Sequence, residues 1–403
     1  MPFKALENIG KLFIGQNSLI TNASILIEND SIKEISYEPS ESFGLEKSEI
    51  YDINQNFIIP GFIDGHTHPI FSGSRAFELD YKLKGLAYSE IAEKGGGINY
   101  STSLTRKASK TELKTNLLKF CNNILSLGTT SAEIKTGYHL NIEGELLALE
   151  IVNEVQNQTP VTLVPTFLGA HLVPNEFKGK EDQYVQNLCE IMPEVKNQGI
   201  AKFTDVFCDK GAFSLDQTIE LIDASIKSNL HVRLHGEEIE RTGIASESAK
   251  RYTGKWVSSI DHLLKATEED FATMAKNHVT ATFMPIGPIV LFDQKWPNYN
   301  LLKKTNVNFG LGSDFNPNSW FYSMQLVVSF ATYFMHIPPN EALLSATKKN
   351  ADSLGLQDRG SIEVGKKADL VELTINDVAE IPYQIGVNNV KRVFKNGKLV
   401  SGV

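Results

Sequence analysis

The sequence predicts an α/β fold in which a (β/α)8 TIM-like barrel carries a small β-sandwich domain built from both termini. Eight short apolar runs alternate with helix-like stretches through the middle of the 403-residue chain, which is the order of elements in such a barrel. Segments with a two-residue apolar period, typical of strands, flank this middle part on both sides. Polar residues cluster where the predicted barrel strands end, which is where barrels place their functional groups.

The eight predicted barrel strands are short apolar runs followed by polar or turn-forming residues. They lie near residues 57–66, 128–135, 160–168, 203–208, 229–235, 257–263, 279–284 and 307–313. The stretches between them, such as TELKTNLLKFCNNILSLG and SLDQTIELIDASIKSN, repeat apolar residues at spacings of three and four, which predicts helices. A doubly wound open sheet is the alternative, but no GxGxxG motif follows an early strand to support it.

Both ends of the chain predict short strands and turns. Residues 1–56 alternate apolar and polar positions around polar breaks, and residues 360–403 do the same, with Asn396-Gly397 as a typical hairpin turn. We therefore predict one small β-sandwich domain from residues 1–56 and 360–403. The barrel is predicted to occupy residues 57–359.

Composition argues against several classes of function. The formal net charge of −9 and the pI near 5.6 argue against nucleic acid or an anionic membrane as the main partner. The 3 cysteines are widely spaced, which favours a reducing compartment over a disulfide framework. The first residues lack the apolar core of a signal peptide, and no apolar run approaches the roughly 18 residues of a membrane helix. These observations predict a cytoplasmic protein.

Polar residues at the strand ends indicate a metal site. In FIIPGFIDGHTHPIF, His66 and His68 are alternate residues of a strand end, so they face the same side about 6.5–7 Å apart at Cα. His235 ends the fifth predicted strand, and Asp314 follows the eighth, at the same end of the barrel. Taken singly, His235 would be a core histidine and Asp314 a turn residue. Together, three imidazoles and a carboxylate suit Zn²⁺ or another borderline divalent ion.

Several longer motifs are more specific than the paired histidines. A broader set comprises PGFIDGHTHP, the strand-five histidine, the strand-six histidine of DHL, SDFNP and the tail NADSLGLQDRGSIEVGKKADLV. A narrower set comprises HPIFSGSRAFE, EIKTGYHL, TFLGAH, DVFCDKGAFS, HGEE and GSDFNPNS. The broader set resembles the amidohydrolase superfamily over almost the whole chain. The narrower set resembles the branch of that superfamily that acts in histidine degradation.

The resemblance implies an activity, a cofactor and a partner. That branch hydrolyses the cyclic amide C–N bond of 4-imidazolone-5-propanoate to N-formimidoyl-L-glutamate with one bound zinc or iron ion, and its members are usually homodimers. The same small-molecule substrate, metal and homodimer are therefore expected here. Binuclear relatives add a modified lysine at the end of strand four. Cys208 and Asp209 stand there in this chain, with Lys210 slightly beyond, so one metal ion is expected.

The resemblance also assigns roles to individual residues. The expected metal ligands are His66, His68, His235 and Asp314, and the expected catalytic residues are Glu238, His262 and Asp314. The expected substrate contacts are Arg75, Tyr138, His171, Glu238, Asn316, Asn318 and Ser319, with the Arg75 guanidinium suited to the propionate. Asn318 stands where relatives commonly have Gly, so its side chain would narrow the pocket or change a backbone contact. Glu237 competes with Glu238, and Lys135 receives no role.

Two alternatives stay open. Another amidohydrolase, a deaminase acting on an aminoimidazole or a nucleobase, would share the metal set but would not need Arg75 to bind an acid. A non-catalytic relative that uses the barrel as an assembly scaffold would typically lack the metal ligands, and this chain retains all four.

Overall fold

The computed structural model describes residues 3–14, 19–37, 43, 45–46, 49–86, 88–293 and 295–402. Parts of the predicted small-domain segment, among them residues 1–2, 15–18 and 38–42, lie outside these described residues. In chain order the strands are β1 (Phe3–Phe13), β2 (Leu19–Glu28), β3 (Ser31–Ser36), β4 (Ile50–Asp52), β5 (Phe57–Pro60), β6 (Phe62–Asp64), β7 (Thr129–Lys135), β8 (Thr162–Ala170), β9 (Phe203–Cys208), β10 (His231–Gly236), β11 (Val257–His262), β12 (Thr280–Phe283), β13 (Phe309–Leu311), β14 (Leu370–Leu373), β15 (Val390–Lys395) and β16 (Lys398–Gly402).

The helices fall mainly between the central strands. They are α1 (Glu78–Leu83), α2 (Tyr88–Glu93), α3 (Gly97–Thr105), α4 (Lys110–Ser126), α5 (Ile142–Gln156), α6 (Glu181–Gln198), α7 (Leu215–Lys227), α8 (Ile244–Trp256), α9 (Glu268–Lys276), α10 (Gly287–Leu291), α11 (Tyr299–Thr305), α12 (Met324–Met335), α13 (Pro339–Leu344), α14 (Asn350–Ser353) and α15 (Glu380–Tyr383). A 3₁₀ turn occupies Asn175–Phe177 and a π-helical turn Ser345–Lys349. Among the described residues, no helix combines the length and apolar character needed to cross a membrane.

Strands β6 to β13 form the predicted parallel barrel. They pair in sequence order, each with its neighbour in the parallel sense, and helices connect them. The Asn350 side chain joins the first and last strands, because its Nδ2 donates to the carbonyls of Ile63 at 2.7 Å and Leu311 at 2.6 Å. The barrel prediction is confirmed, and every predicted apolar run overlaps a strand.

The first predicted strand is divided into two. Residues 57–66 were expected to be one barrel strand, but Phe57–Pro60 pairs with β1 and β14, and only Phe62–Asp64 pairs with β7. The division falls at Gly61, where a Cβ atom would lie 2.3 Å from the Thr130 side chain. The chain therefore passes from one sheet to the other at a position where only glycine fits against the barrel.

The second sheet contains strands from both ends of the chain. Its order is β16-β15-β14-β5-β1-β2-β3, and β4 pairs with β1. Alternate residues of β5 face opposite sides, as a strand requires. Phe57 and Ile59 belong to the large core shared with the barrel, whereas Ile58 packs with Leu12 and Phe394 in a separate small core. The division into two domains at residues 56/57 and 359/360 stays a prediction.

Candidate metal centre and active site

His66 and His68 lie immediately beyond β6, and two backbone bonds fix this segment against the loop after β13. The amide of Asp314 donates to the His66 carbonyl at 3.0 Å, and the amide of His68 donates to the Phe315 carbonyl at 2.8 Å. Asp314 itself has φ 53°, a left-handed conformation that turns the chain sharply. The two loops are therefore held together, and each presents polar side chains to the barrel mouth.

The structure brings the four predicted metal ligands together. The Nε2 atom of His68 lies 3.0 Å from Nε2 of His66 and 3.3 Å from Nε2 of His235. The Oδ1 atom of Asp314 lies 3.7 Å from the Nε2 atoms of both His66 and His68. Donor atoms placed tetrahedrally at about 2.0–2.1 Å from one ion are separated by roughly 3.3–3.4 Å. The four measured separations therefore lie close to those of ligands around one tetrahedral metal ion.

Two carboxylates set the orientation of the histidine rings. Nδ1 of His66 lies 2.7 Å from Oδ2 of Asp261, and Nδ1 of His235 lies 3.1 Å from Oδ1 of Asp205. Because an ionised carboxylate accepts only, each Nδ1 carries a hydrogen, and in the neutral tautomer the lone pair lies on Nε2. Burial also lowers the pKa of His66 and of His68 well below the usual range. Neutral imidazoles with converging lone pairs fit a divalent cation.

Glu238 and His262 form a second polar pair beside these donors. Nδ1 of His262 lies 3.2 Å from Oε1 of Glu238, and the His262 ring lies 5.1 Å from the ring of His235. Burial raises the pKa of Glu238 well above its usual range, and the nearby Asp314 adds to this. Burial likewise raises the pKa of Asp314 to about 6. A bound cation would counteract both shifts by favouring the ionised forms.

Glu237 points away from this pair and stabilises a helix start. Its carboxylate accepts hydrogen bonds from the amides of Thr242 at 2.7 Å and Ala245 at 3.2 Å, at the N-terminus of α8. An anion there satisfies free helix amides and interacts favourably with the helix dipole. The geometry therefore favours Glu238 over Glu237 as the acid–base group.

The chain is similar to known hydrolases over most of its length. The model of the amidohydrolase family matches residues 57–400, which is most of the chain. The curated imidazolonepropionase of Bacillus cytotoxicus is 36% identical over 361 residues, covering 89% of this chain and 84% of that protein. The imidazolonepropionase of Bacillus cereus is 34% identical over 383 residues, covering 94% and 89%. The chain belongs to the imidazolonepropionases of the amidohydrolase family.

Solved structures of deaminases share the fold of this imidazolonepropionase family member at low identity. The 5-methylcytosine deaminase of Klebsiella pneumoniae superposes with a TM-score of 0.75 at 17% identity, covering 99% of this chain and 98% of that one. An adenosine deaminase of Xanthomonas campestris with bound zinc gives 0.71 at 15% identity, covering 98% and 92%. At such identities the likeness concerns the fold alone. Amidohydrolases are metal dependent, and the histidine–aspartate group described above can bind a metal ion.

In this family member, two aromatic side chains pack beside the candidate ligand His68. The His171 ring stacks on the His68 ring at 5.2 Å, and its Nδ1 lies 2.9 Å from the Gly137 carbonyl. The Tyr138 ring packs edge-on against both histidines, at 5.3 Å from His171 and 6.2 Å from His68. Burial lowers the pKa of His171 to about 3, so this imidazole is neutral. Both predicted substrate contacts therefore lie next to the candidate ligands.

Arg75 is buried and paired with a carboxylate of its own chain. Its Nε and Nη2 atoms donate to Glu78 at 2.7 and 2.8 Å, and the same carboxylate accepts from the Gly97 amide at 2.7 Å. The Arg75 amide donates to the Pro317 carbonyl at 3.2 Å, which places this residue against the loop after β13. A substrate carboxylate would have to bind alongside Glu78 or displace it.

The three remaining predicted contacts lie in the turn after Asp314. The Asn316 side chain accepts from the amides of Asn318 at 2.8 Å and Ser319 at 3.1 Å, and it donates to the Asp314 carbonyl at 2.8 Å. Oδ1 of Asn318 accepts from Lys82 Nζ at 2.6 Å. Asn316 therefore shapes the turn, and the Asn318 side chain is held by Lys82 from α1.

Several charged residues that lie inside the barrel behind the histidines are not among the site residues predicted from the sequence. Lys135, for which the sequence predicts no role, is fully buried, and Asp205 and Asp261, whose carboxylates orient the histidine rings, are buried as well. The available signal was their strand position: Lys135 ends a strand, and Arg233 stands two residues before His235, on the same face. Charged residues at inward positions of barrel strands need partners, and these partners are each other.

Proposed function

We propose that the chain catalyses hydrolysis of the cyclic amide C–N bond of 4-imidazolone-5-propanoate to N-formimidoyl-L-glutamate, a step of histidine degradation. The observation that carries the proposal is the convergence of three histidine Nε2 atoms and the Asp314 carboxylate in a chain of this family. The curated relatives named imidazolonepropionase, at 34–36% identity, support the choice of substrate.

One divalent ion, zinc or iron, would be held by His66, His68, His235 and Asp314. When bound, such an ion lowers the pKa of water and supplies a nucleophile near neutral pH. A second ion would need a ligand at the end of β9. The Asp209 carboxylate there already accepts hydrogen bonds from the backbone amides of its own loop and of the loop after β10. This supports a single ion.

Three side chains of the chain would handle protons and developing charge. Asp314 accepts the proton of the attacking water. His262, whose buried Nε2 has no hydrogen-bond partner among the described residues, hydrogen-bonds the water or the developing oxyanion. Glu238, with its raised pKa and its contact to His262, carries a proton to the departing ring nitrogen.

The remaining predicted residues would bind the substrate. Arg75 would bind the propionate, because a guanidinium matches a carboxylate in charge and geometry. Tyr138 and His171 would contact the ring or the tail from their side of the centre, and Glu238 would contact the ring nitrogen. Asn316, Asn318 and Ser319 would complete the pocket through the turn that Asn316 organises.

A combined metal analysis and activity assay tests this function. The purified protein is expected to contain about one equivalent of zinc or iron and to open 4-imidazolone-5-propanoate, while guanine and cytosine remain unchanged. Turnover of a nucleobase with no turnover of the imidazolone would select the deaminase alternative, which has the shared fold alone in its favour. A protein that binds no metal and turns over neither would revive the scaffold alternative.

A homodimer and a cytoplasmic location complete the proposal. Both rest on the family resemblance and, for the location, on composition. Light scattering coupled to size-exclusion chromatography is expected to give twice the 44.7 kDa chain mass, and a mass of one chain would contradict the dimer.

A further inference from the structure

A cluster of five charged side chains is buried inside the barrel, in contact with the candidate metal ligands. The charge cluster consists of Glu133, Lys135, Asp205, Arg233 and Asp261, each at most 2% exposed. Three carboxylates against two cations leave one formal negative charge. Burying charges is costly unless they are paired, so the arrangement of the pairs matters to the fold.

Lys135 is the cation that contacts all three carboxylates. Its Nζ lies 2.5 Å from Asp205, 2.9 Å from Glu133 and 3.4 Å from Asp261. Burial alone would lower its pKa, but Asp205, Glu133 and Asp261 raise the pKa overall, so the ammonium stays charged.

Arg233 serves a different part of the charge cluster. Its Nε lies 2.9 Å from Glu133, and its Nη2 donates to the Gly65 carbonyl at 3.0 Å and lies 3.4 Å from Asp261. The carboxylates of Asp205 and Asp261 are the two that hold Nδ1 of His235 and of His66. Lys135 therefore contacts both Asp205 and Asp261, the carboxylates that orient the rings of His235 and His66.

We propose that Lys135 is a positioning residue of the metal centre. It holds Asp205 and Asp261 at a fixed separation, and they in turn fix the ring planes and the Nδ1–H tautomers of His235 and His66. The inference rests on the proposed function, because it assumes that these histidines bind the metal ion. Without Lys135, the two buried carboxylates would repel each other across the cluster. Asp205 would lose the cation that holds it against His235, while Asp261 would keep only the hydrogen bond from Ser259 and the longer contact to Arg233 to hold it against His66.

Lys135 could instead serve only to compensate the charge of the buried carboxylates. A variant that keeps the charges balanced separates this structural role from the positioning role. Lys135→Met alone leaves three buried carboxylates with one cation. The double variant Lys135→Met/Glu133→Gln removes one charge of each sign and keeps Asp205, Asp261 and Arg233. Among the described residues, no hydrogen bond or ion pair joins the Glu133 side chain to a candidate ligand. This variant therefore restores the charge balance without restoring the bridge between Asp205 and Asp261.

The experiment measures metal affinity of the intact protein by competition with a chelator, using zinc, and records the visible spectrum of the Co²⁺-loaded form. We expect the double variant to bind zinc about 10–100-fold more weakly than wild type, the usual effect of losing an outer-shell partner, with an altered Co²⁺ spectrum. Thermal unfolding reports stability independently. Lys395→Met is the matched control, because Lys395 is also a buried lysine, paired with Asp369 at 2.6 Å in the other sheet, and its loss should leave zinc affinity unchanged.

A failure of the Lys135 positioning role and a failure of the proposed metal-dependent function give different results. Wild-type zinc affinity and an unchanged Co²⁺ spectrum in the double variant would overturn the positioning role. Wild-type protein without a zinc site would instead defeat the proposed function. If the double variant does not fold, Lys135→Gln carries the test. It leaves more net negative charge beside the candidate ligands, which by itself favours binding of a divalent cation. Weaker zinc binding in that variant therefore supports the positioning role, and equal or tighter zinc binding overturns it.

Discussion

At the scale of single residues, Glu238 provides the clearest separation between chemistry and metal binding. Its carboxyl is beside His262, whereas the neighbouring Glu237 carboxyl is bonded to the start of α8. Glu238→Gln keeps the size and removes the proton. We expect kcat to fall by on the order of 10²–10⁴ while metal content stays at the wild-type level.

Glu237→Gln is the matched control for this prediction. It should lower the unfolding temperature, since a helix start loses an anionic acceptor, and leave most of kcat intact. The assignment is wrong if Glu237→Gln loses the activity and Glu238→Gln keeps it.

Arg75 tests the class of substrate. Arg75→Met should leave the metal in place and lower kcat/KM by about 10–150-fold, corresponding to roughly 1.5–3 kcal/mol for a lost charge-assisted contact. Arg75→Lys should recover only part of this, because a lysine cannot reproduce the paired Nε and Nη2 geometry now seen with Glu78.

An imidazolone that lacks the carboxylate is the control substrate for Arg75. The wild-type protein should turn over this substrate poorly, and Arg75→Met should lower its kcat/KM only slightly further. Equal losses of kcat/KM on both substrates would mean that Arg75, through its pair with Glu78, supports the loop and does not bind the propionate.

At the scale of elements, the loop after β10 depends on Asp209 from the loop after β9. The Asp209 carboxylate accepts from the amides of Glu238 at 2.8 Å, Ile239 at 2.9 Å and Glu240 at 2.9 Å. Asn at this position has one oxygen acceptor and brings N–H donors towards other donors. Asp209→Asn should therefore lower kcat through misplaced Glu238, and the free energy of unfolding by about 1–3 kcal/mol.

The pH profile distinguishes this positioning effect from simple destabilisation. Because the Asp209 carboxylate adds to the raised pKa of Glu238, its loss in Asp209→Asn should shift the limb of the kcat profile that depends on Glu238 to lower pH, at a temperature where the variant is fully folded. A profile of unchanged shape with normal kcat in the folded variant would contradict the role.

The elements also show what the sequence can and cannot predict. Apolar runs were sufficient to find the barrel strands, and His66, His68 and His235 could be found because strand ends meet at one face. The division at Gly61 could not be found, because it depends on contact with Thr130 from a distant strand. The pairing of Lys135 with Asp205 was missed because the partners are 70 residues apart and only the closed barrel brings them together.

At the scale of the whole molecule, the candidate ligands link parts of the barrel that are far apart in the chain. His66 and His68 follow β6, His235 lies next to the end of β10, and Asp314 follows β13. The core of the barrel also continues into the second sheet through Phe57, Ile59 and other residues of that sheet. A metal ion that binds the folded chain should therefore stabilise both sheets in one cooperative transition.

Removing the metal should lower the temperature of that transition. An ion present at about 1,000 times its Kd contributes about 4 kcal/mol to folding by mass action. For a chain of this size we expect chelation to lower Tm by on the order of 5 °C in scanning calorimetry, with both sheets still unfolding together.

The variant His68→Ala lacks one candidate ligand. Without chelator, its Tm should already be close to that of the chelated wild-type protein, and chelator should change it little. His231→Ala, which changes an exposed histidine at the other end of the strand that carries His235, should behave like wild type. An equal Tm loss on chelation in His68→Ala would show that the stabilising ion binds elsewhere, and two separate transitions would show that the sheets do not share one cooperative core.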